Sequence, residues 1–291
     1  MNVLFLGGSG QIGFPTACRF AERLPQYQVW ASSRAGQAPG PTPDNLSFLA
    51  FDPFSDDWSQ LPKVDLVYNC VGQIKASQAM SFERIHLGMS KLLVQHRTEI
   101  GNPRIVQLSA LGAGEHPKVS FLATKAQADD WVLKEANSYV VRPSIVCTAN
   151  TMLLRKLKQL GRISRFLGGR LLLPEGFMEA KVQPIMIEDL ADLLIAVGIG
   201  PKEERIIPAV GPEPLRFAEL LSLVHDKAFP VWEIPRQVLE PLIRYIVSPL
   251  IPSLINYDQF RLLFEDNVGD QAFGEAVLQR KMADTKDFWR Q

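Results

Sequence analysis

The chain has 291 residues, with 31 basic and 31 acidic side chains and 46% hydrophobic residues. A formal charge of zero excludes the basic excess of a nonspecific nucleic-acid binder, and the apolar content excludes a disordered chain. Cys18, Cys70 and Cys147 are odd in number and widely spaced without a CxxC pair, so neither a disulfide framework nor a zinc site is expected, and the compartment reads as reducing and cytoplasmic.

The opening MNVLFLGGSG lacks a cationic n-region and a cleavage site and reads as a first strand. Further strand candidates follow at Gln28–Ala31, Leu46–Phe51, Val64–Cys70, Arg104–Leu108 and Tyr139–Val141. Helical periodicity lies between them, as at Phe82, Ile85, Met89, Leu92 and Leu93. Repeated strand, helix, strand means parallel crossovers, which predicts an α/β fold with a doubly wound parallel Rossmann sheet.

Beyond Ser144 the rhythm changes. Thr151 to Phe166 reads as a helix with five cations, Arg155, Lys156, Lys158, Arg162 and Arg165, and no acid, stopping at Gly168 and Gly169. Arg155, Lys158, Arg162 and Arg165 recur at helical spacing on one face. Val182–Ile187 and Arg205–Val210 read as strands returning to the sheet around a helix at Asp189–Val197. From Gly211 a helical pattern with many prolines predicts a small, mainly helical C-terminal lobe. The expected division is thus 1–210 for the Rossmann domain, with 149–180 contributing to the lobe, and 211–291 for a lobe that takes substrate or partner. The apolar stretch Leu239–Tyr257 is broken by Glu240, Arg244, Pro241, Pro249 and Pro252, and is not a bilayer span.

The chemistry is expected first at GGSGQIG, residues 7–13, between the apolar run Val3–Leu6 and a helical pattern through Cys18, Phe20, Ala21 and Leu24. In that context the first glycine permits the tight turn, the second admits a pyrophosphate to the backbone, and the third lets the helix pack on the strand, while the helix N-terminus supplies free N–H groups. Gly7, Ser9, Gly10, Gln11, Ile12 and Gly13 are therefore the expected dinucleotide contacts; a tight turn without a ligand is the alternative. The second strand ends in Ser32, Ser33 and Arg34, and no Asp or Glu lies between Glu22 and Asp44. Ser33 and Arg34 read as a clamp for a 2′-phosphate, favouring NADP with NAD as the alternative, or else Arg34 is a solvated surface arginine.

The GxxGxxG spacing resembles the short-chain dehydrogenase/reductase superfamily. That resemblance implies an adenine contact at Asp52 and an adenosine-side turn at Asn69, Cys70, Val71 and Gly72. It also implies an active-site serine at Ser109, a lysine at Lys125, and a loop over the nicotinamide at Arg142, Pro143 and Ser144. Three segments are similar to an atypical branch, the nucleotide-binding accessory subunit of respiratory complex I and its bacterial relatives. They are SALGA at 109–113, VQPI at 182–185 with IEDLA at 187–191, and DQFRLLFEDNV at 258–268. The family's YxxxK tyrosine, which exchanges the proton during hydride transfer, is Phe121 here. Ser109, Ser120 and His116 are the nearby groups that have a transferable proton; His86 stands where relatives often have asparagine, and His96 and His225 are assigned no role. Asp129 and Asp130 are adjacent and so point to different faces, and no HxxxH, CxxC or DxD cluster indicates a metal.

Two functions follow from the resemblance and the residues. One is an NADP(H)-binding, short-chain-dehydrogenase-like oxidoreductase without the usual tyrosine. The other is a non-catalytic nucleotide-binding accessory or assembly protein for a membrane-associated partner such as a respiratory complex. The cationic stretch 151–166 and the proline-rich stretch 231–257 are the candidate contacts for an acidic lipid surface or a protein partner, or else a solvated face.

Overall fold

A computed structural model describes residues 1–73, 81–200, 204–250 and 257–290. Seven strands form its main sheet: β1 Asn2–Leu6, β2 Gln28–Ser33, β3 Leu46–Ala50, β4 Leu66–Asn69, β5 Arg104–Leu108, β6 Ser138–Pro143 and β7 Ile206–Ala209. Their spatial order is β7-β6-β5-β4-β1-β2-β3, and every pairing is parallel. The expected doubly wound sheet is present. Its helices are α1 Gly13–Arg23, α2 Met89–Gln95, α3 Ser120–Val132 and α5 Ile187–Ile199, with α4 Met152–Phe166 and α6 Phe217–His225 in the lobe.

Successive residues of a strand face opposite ways, and a parallel sheet must bury both faces. Val3 and Phe5 therefore join Ala17 and Phe20 of α1 and Leu190, Leu193 and Leu194 of α5 in one core. Leu4 and Leu6 join Met89 and Leu93 of α2 and Val132 of α3 in the other. Because β1 is apolar on both faces it reads as a continuous hydrophobic run, and so it was legible. Tyr68 stacks on Phe5 at 4.4 Å, and its hydroxyl donates to the Leu194 carbonyl, which satisfies the polar end inside the core.

The segment Val182–Ile187 does not return to the main sheet. It splits into Lys181–Val182, antiparallel to Leu215–Arg216, and Ile185–Met186, parallel to Val146–Cys147. The cause lies between them. Pro184 has no N–H for a ladder, and the backbone of Gln183 is already bonded, its N–H to the Asn267 carbonyl at 3.1 Å and its carbonyl to the Gly211 amide at 3.2 Å. Arg205–Val210 does join the sheet, as Ile206–Ala209. In the lobe a strand that the prolines concealed, Val231–Ile234 between Pro230 and Pro235, pairs in parallel with Leu171–Pro174. The helix at 271–278 lies on the sheet's core, where Phe273, Val277 and Leu278 pack with the α1 and α5 residues.

Two acids in and after the IEDLA segment tie these parts together. Asp192, 2% exposed, takes Arg19 and Arg23 from α1 and Arg280 from beyond the 271–278 helix, and Asp189 takes Arg280 and the Ala283 amide. Burial alone would push the Asp192 carboxyl up, but the guanidiniums of Arg19 and Arg280 hold it below its ordinary value. Among the described residues no helix is long and apolar enough to cross a membrane.

Gly211 marks the tightest backbone approach in this region, since a Cβ there would overlap the Pro184 carbonyl oxygen. Gly211→Ala is expected to lower stability by about 1–3 kcal/mol in chemical denaturation. Gly40→Ala, whose Cβ would meet only the Phe14 ring at 3.7 Å, should stay within about 0.5 kcal/mol of wild type.

Candidate functional site

The site is built where the strand order reverses. β2 lies on one side of β1 and β4 on the other, so the loops leaving β1 and β4 diverge and open a crevice at the carboxyl edge of the sheet. The GGSGQIG turn lies there. Gly7 has φ +73°, and an added Cβ would stand 3.1 Å from the Cys70 carbonyl carbon and from the Val71 nitrogen. A Cβ on Gly13 would collide with the Gly7 carbonyl oxygen. These are the roles expected of the first and third glycines: the left-handed turn and the close seating of helix on strand.

Ser9, Gly10 and Gln11 are exposed at the crest of the turn. Gly10 donates back to Gly7 at 3.0 Å, whereas the amides of Gln11, Ile12 and Gly13 meet no acceptor among the described residues. Three free N–H groups at the start of α1 can hold a dianionic phosphate, and no bulky side chain stands on the turn. The residues present therefore fit a dinucleotide's pyrophosphate.

Around this turn the expected residues separate into two groups. Cys70 and Val71 lie against Gly7, and Gly72 lies beside the Lys125 ammonium, which would stand 3.3 Å from a Cβ placed there. Lys125, 5% exposed, donates to the Leu108 carbonyl at 2.9 Å, one residue before Ser109. So Gly7, Cys70 to Gly72, Lys125 and Ser109 form one continuous line across the ends of β1, β4 and β5. Asn69 supports that line: its amide donates to Gln107 at 2.7 Å and its oxygen accepts from the Val71 amide at 3.2 Å. Ser33, Arg34 and Asp52 stand apart, at the ends of β2 and β3. The Ser33 hydroxyl closes a turn with Gln37, Asp52 accepts from the Phe54 amide, and Arg34 is exposed without an ion pair among the described residues.

Pro143 and Ser144 end β6, with the Pro143 carbonyl accepting from Leu111 at 2.8 Å. The Ser144 hydroxyl is turned toward the lobe and donates to the Asn267 side chain at 2.6 Å. The segments VQPI and DQFRLLFEDNV thus meet at this serine, because Gln183 and Asn267 are bonded to each other and Gln183 also accepts from the Gly269 amide.

Phe121, expected from the resemblance to stand where a tyrosine would be, is half-buried. It meets Phe82 edge-on at 5.6 Å and His86 edge-on at 5.4 Å, and Phe82 stacks on His86. His86, 1% exposed, shares a hydrogen bond with the Thr124 hydroxyl at 2.9 Å. Burial, with the Lys125 charge added, pushes its pKa down to about 3, so it is a neutral ring. His116 lines the side of Gly112. His225 bonds the Leu157 carbonyl and packs on Phe229 inside the lobe.

The residue that sequence reasoning passed over is Asp129. It is completely buried, accepts from the Ser109 hydroxyl at 2.8 Å, and is paired with Arg142 at 3.0 Å. Its other oxygen has no partner among the described residues. Burial raises its pKa to about 6 against the opposing pull of Ser109 and Arg142, and burial lowers that of Lys125 to about 8. Asp130, by contrast, is exposed, as expected from adjacent positions on a helix. The only signal for Asp129 was its place in register with Lys125 one turn away, and Arg142 was noticed only as part of the loop that carries Ser144.

No protein-family model matches the chain, and no curated protein sequence matches it. Solved structures do. A nucleoside-diphosphate-sugar epimerase from Staphylococcus aureus superposes with a TM-score of 0.75 at 12% identity, covering 100% of both chains. UDP-glucuronic acid 4-epimerase from Bacillus cereus, in complex with UDP-glucuronic acid and NAD, has a TM-score of 0.69 at 14% identity, covering 99% of this chain and 96% of that one. A tyrosine-to-phenylalanine mutant of the same epimerase, in complex with a fluorinated UDP-sugar and NAD, has a TM-score of 0.69 at 14% identity, covering 100% and 97%. These likenesses establish the fold. It is the α/β Rossmann fold, shared over at least 99% of the chain with these proteins, of which the two Bacillus cereus structures hold NAD.

The two shifted groups give opposite pH slopes in one window. A base depressed in the fold, His86, contributes stability that is present above about 6.5 and lost as pH falls toward 3. An acid raised in the fold, Asp129, contributes stability that is present below about 3.8 and lost as pH rises through 6. Between pH 4 and 6 they offset each other. His86→Asn should leave stability rising as pH falls from 6 to 4, and Asp129→Asn should leave it falling, each by about 1 kcal/mol per pH unit relative to wild type. Urea denaturation at several pH values checks both signs; identical pH profiles for all three proteins would reject the burial argument.

Proposed function

We propose that this chain binds a nicotinamide dinucleotide across the carboxyl edge of its sheet, NADP(H) in preference to NAD(H), as an atypical short-chain dehydrogenase/reductase without the phenolic proton donor. The glycine turn carries this reading. Its crest is bare, and three amides at the start of α1 have no other partner. In this reading those amides hold the pyrophosphate, Asp52 and the Cys70 to Gly72 turn flank the adenosine, and exposed Arg34 with Ser33 takes the 2′-phosphate. Lys125 exchanges the Leu108 carbonyl for the ribose hydroxyls, and Pro143 and Ser144 bound the nicotinamide end. The bound dinucleotide supplies hydride chemistry.

What the chain supplies for proton transfer is limited. The Ser109 proton is directed into Asp129, the Phe121 ring has none, and His86 is neutral and enclosed by Phe82, Phe121 and Thr124. This favours a second reading for the same site, a nucleotide held as a fixed ligand in an accessory or assembly protein. The neighbouring tyrosine-to-phenylalanine mutant with NAD bound is an instance in which a phenylalanine substitution and nucleotide retention coexist. Retention of nucleotide through purification supports the fixed-ligand reading. Rapid exchange with NADPH consumption on a panel of small carbonyls and UDP-sugars supports the enzyme.

Titrating NADPH and NADH against intrinsic tryptophan fluorescence tests the proposal. Wild type should bind NADPH more tightly, Gly10→Glu should bind neither, and Arg34→Ala should weaken NADPH by about tenfold or more while sparing NADH. Absence of binding by wild type, purified free of nucleotide, rejects the site. Phe121→Tyr should raise NADPH oxidation with a small carbonyl by about a hundredfold or more, the usual contribution of one general acid. A stable variant with no gain would remove Phe121 from the account of the missing activity.

A further inference from the structure

The lobe presents an apolar stripe on its outer surface. Residues 236–250 form one helical run, Arg236–Leu242, Ile243–Val247 and Ser248–Leu250, and none of its residues is buried. Val238, Leu242, Tyr245, Ile246 and Leu250 are exposed at spacings of four, three, one and four, which places them along one side of the helix, with Leu250 74% exposed. An amphipathic helix ordinarily turns such a stripe inward; this one turns it out.

A second exposed patch adjoins the stripe along the chain. The helix follows the strand Val231–Ile234, where Trp232, 51% exposed, stands opposite Leu172 in the parallel ribbon, and the Arg170 guanidinium lies over the Trp232 ring at 5.1 Å. Glu233 alternates to the opposite face. The ribbon joins this surface to the end of α4, where Phe166 is 90% exposed beside Arg165. Between 152 and 170 the chain has six cations and no acid, although the whole protein is neutral. Arg155, Arg162 and Arg165 are exposed and make no ion pair among the described residues.

We infer that this surface of the lobe docks on an anionic lipid bilayer, the 236–250 stripe with Trp232 and Phe166 entering the interface and the α4 arginines meeting lipid phosphates. Charge decides between the occupants. A second copy would bring the same unpaired arginines, and an apolar protein groove would leave them unsatisfied, whereas an anionic membrane surface takes both the apolar stripe and the cations. A helical run of this length lies in the interface and does not cross it. Residues 251–256, also in the stretch assigned to partners by sequence, lie outside the described residues. The inference does not depend on nucleotide binding.

Flotation with vesicles of phosphatidylcholine and phosphatidylglycerol in about a 3:1 ratio tests it at low salt. Wild type should float, and should lose about tenfold or more of its binding on pure phosphatidylcholine or in about 0.5 M salt. Leu242→Asp with Ile246→Asp should abolish binding to both vesicle types, while Arg155→Glu with Arg162→Glu should abolish the preference for anionic lipid and leave the weak binding to phosphatidylcholine. Both pairs are exposed and should keep the wild-type melting temperature. Quenching of the wild-type tryptophan signal by brominated lipid, lost in Trp232→Phe, decides the matter should either double variant unfold. Wild type that stays unbound, double variants that float as well as wild type, or a dimer dissociated by Leu242→Asp without any capture by vesicles would each overturn the inference.

Discussion

A carboxylate shut away from water holds the candidate site together. Asp129 lies on α3 four residues after Lys125, bonds the Ser109 hydroxyl at the end of β5, and pairs with Arg142 just before Pro143 and Ser144. Three stretches that the sequence places at the nicotinamide end therefore share one ionic joint. Such a joint is expensive to form and more expensive to break: removing one partner of a buried pair leaves a charge without compensation, at about 3–5 kcal/mol. Its free oxygen and its raised pKa both show that burial exceeds what Arg142 and Ser109 return.

That geometry bears on the chemistry. The resemblance implies a serine and a lysine that face the reacting atoms with a phenol between them. Here the Ser109 proton faces the helix, Lys125 is bonded to a strand carbonyl, and the Phe121 ring is packed on Phe82 and His86. The low pKa of His86 follows from the same enclosure, since a charge on that ring would have to exist without water beside the Lys125 ammonium. The arrangement can bind and orient. Without movement, neither Ser109 nor Lys125 is poised to deliver a proton.

Much of this was legible because it rests on local rules. Apolar runs marked the strands, and the glycine spacing marked a turn whose backbone contacts follow from the absence of side chains at Gly7 and Gly13. What escaped was long-range. Val182–Ile187 has the composition of a sheet strand, but its pairing was decided by Asn267, 84 residues beyond Gln183, and by a proline in its middle. The ribbon strand at 231–234 was hidden because prolines at both ends suggested a loop, while in an edge strand they merely bound it. Asp129 and Asp130 read as adjacent helix acids on different faces, and nothing in the sequence says which one is buried until Arg142 arrives from the next strand.

The joint between core and lobe imposes a last constraint. Ser144, at the end of β6, donates to Asn267, and Asn267 in turn holds Gln183 and Lys181 through backbone bonds, with its side chain near the Leu111 carbonyl at 3.4 Å. Leu111 lies in the loop that begins at Ser109. The end of β6, the loop after β5 and the lobe are thus coupled through one asparagine, so none of the three can be displaced by more than a hydrogen bond's tolerance without the others following or a polar group losing its partner. Since a lost partner costs about 1–3 kcal/mol, Gln183 and Asn267 help to position the loop ends at the site together with the sheet that carries them.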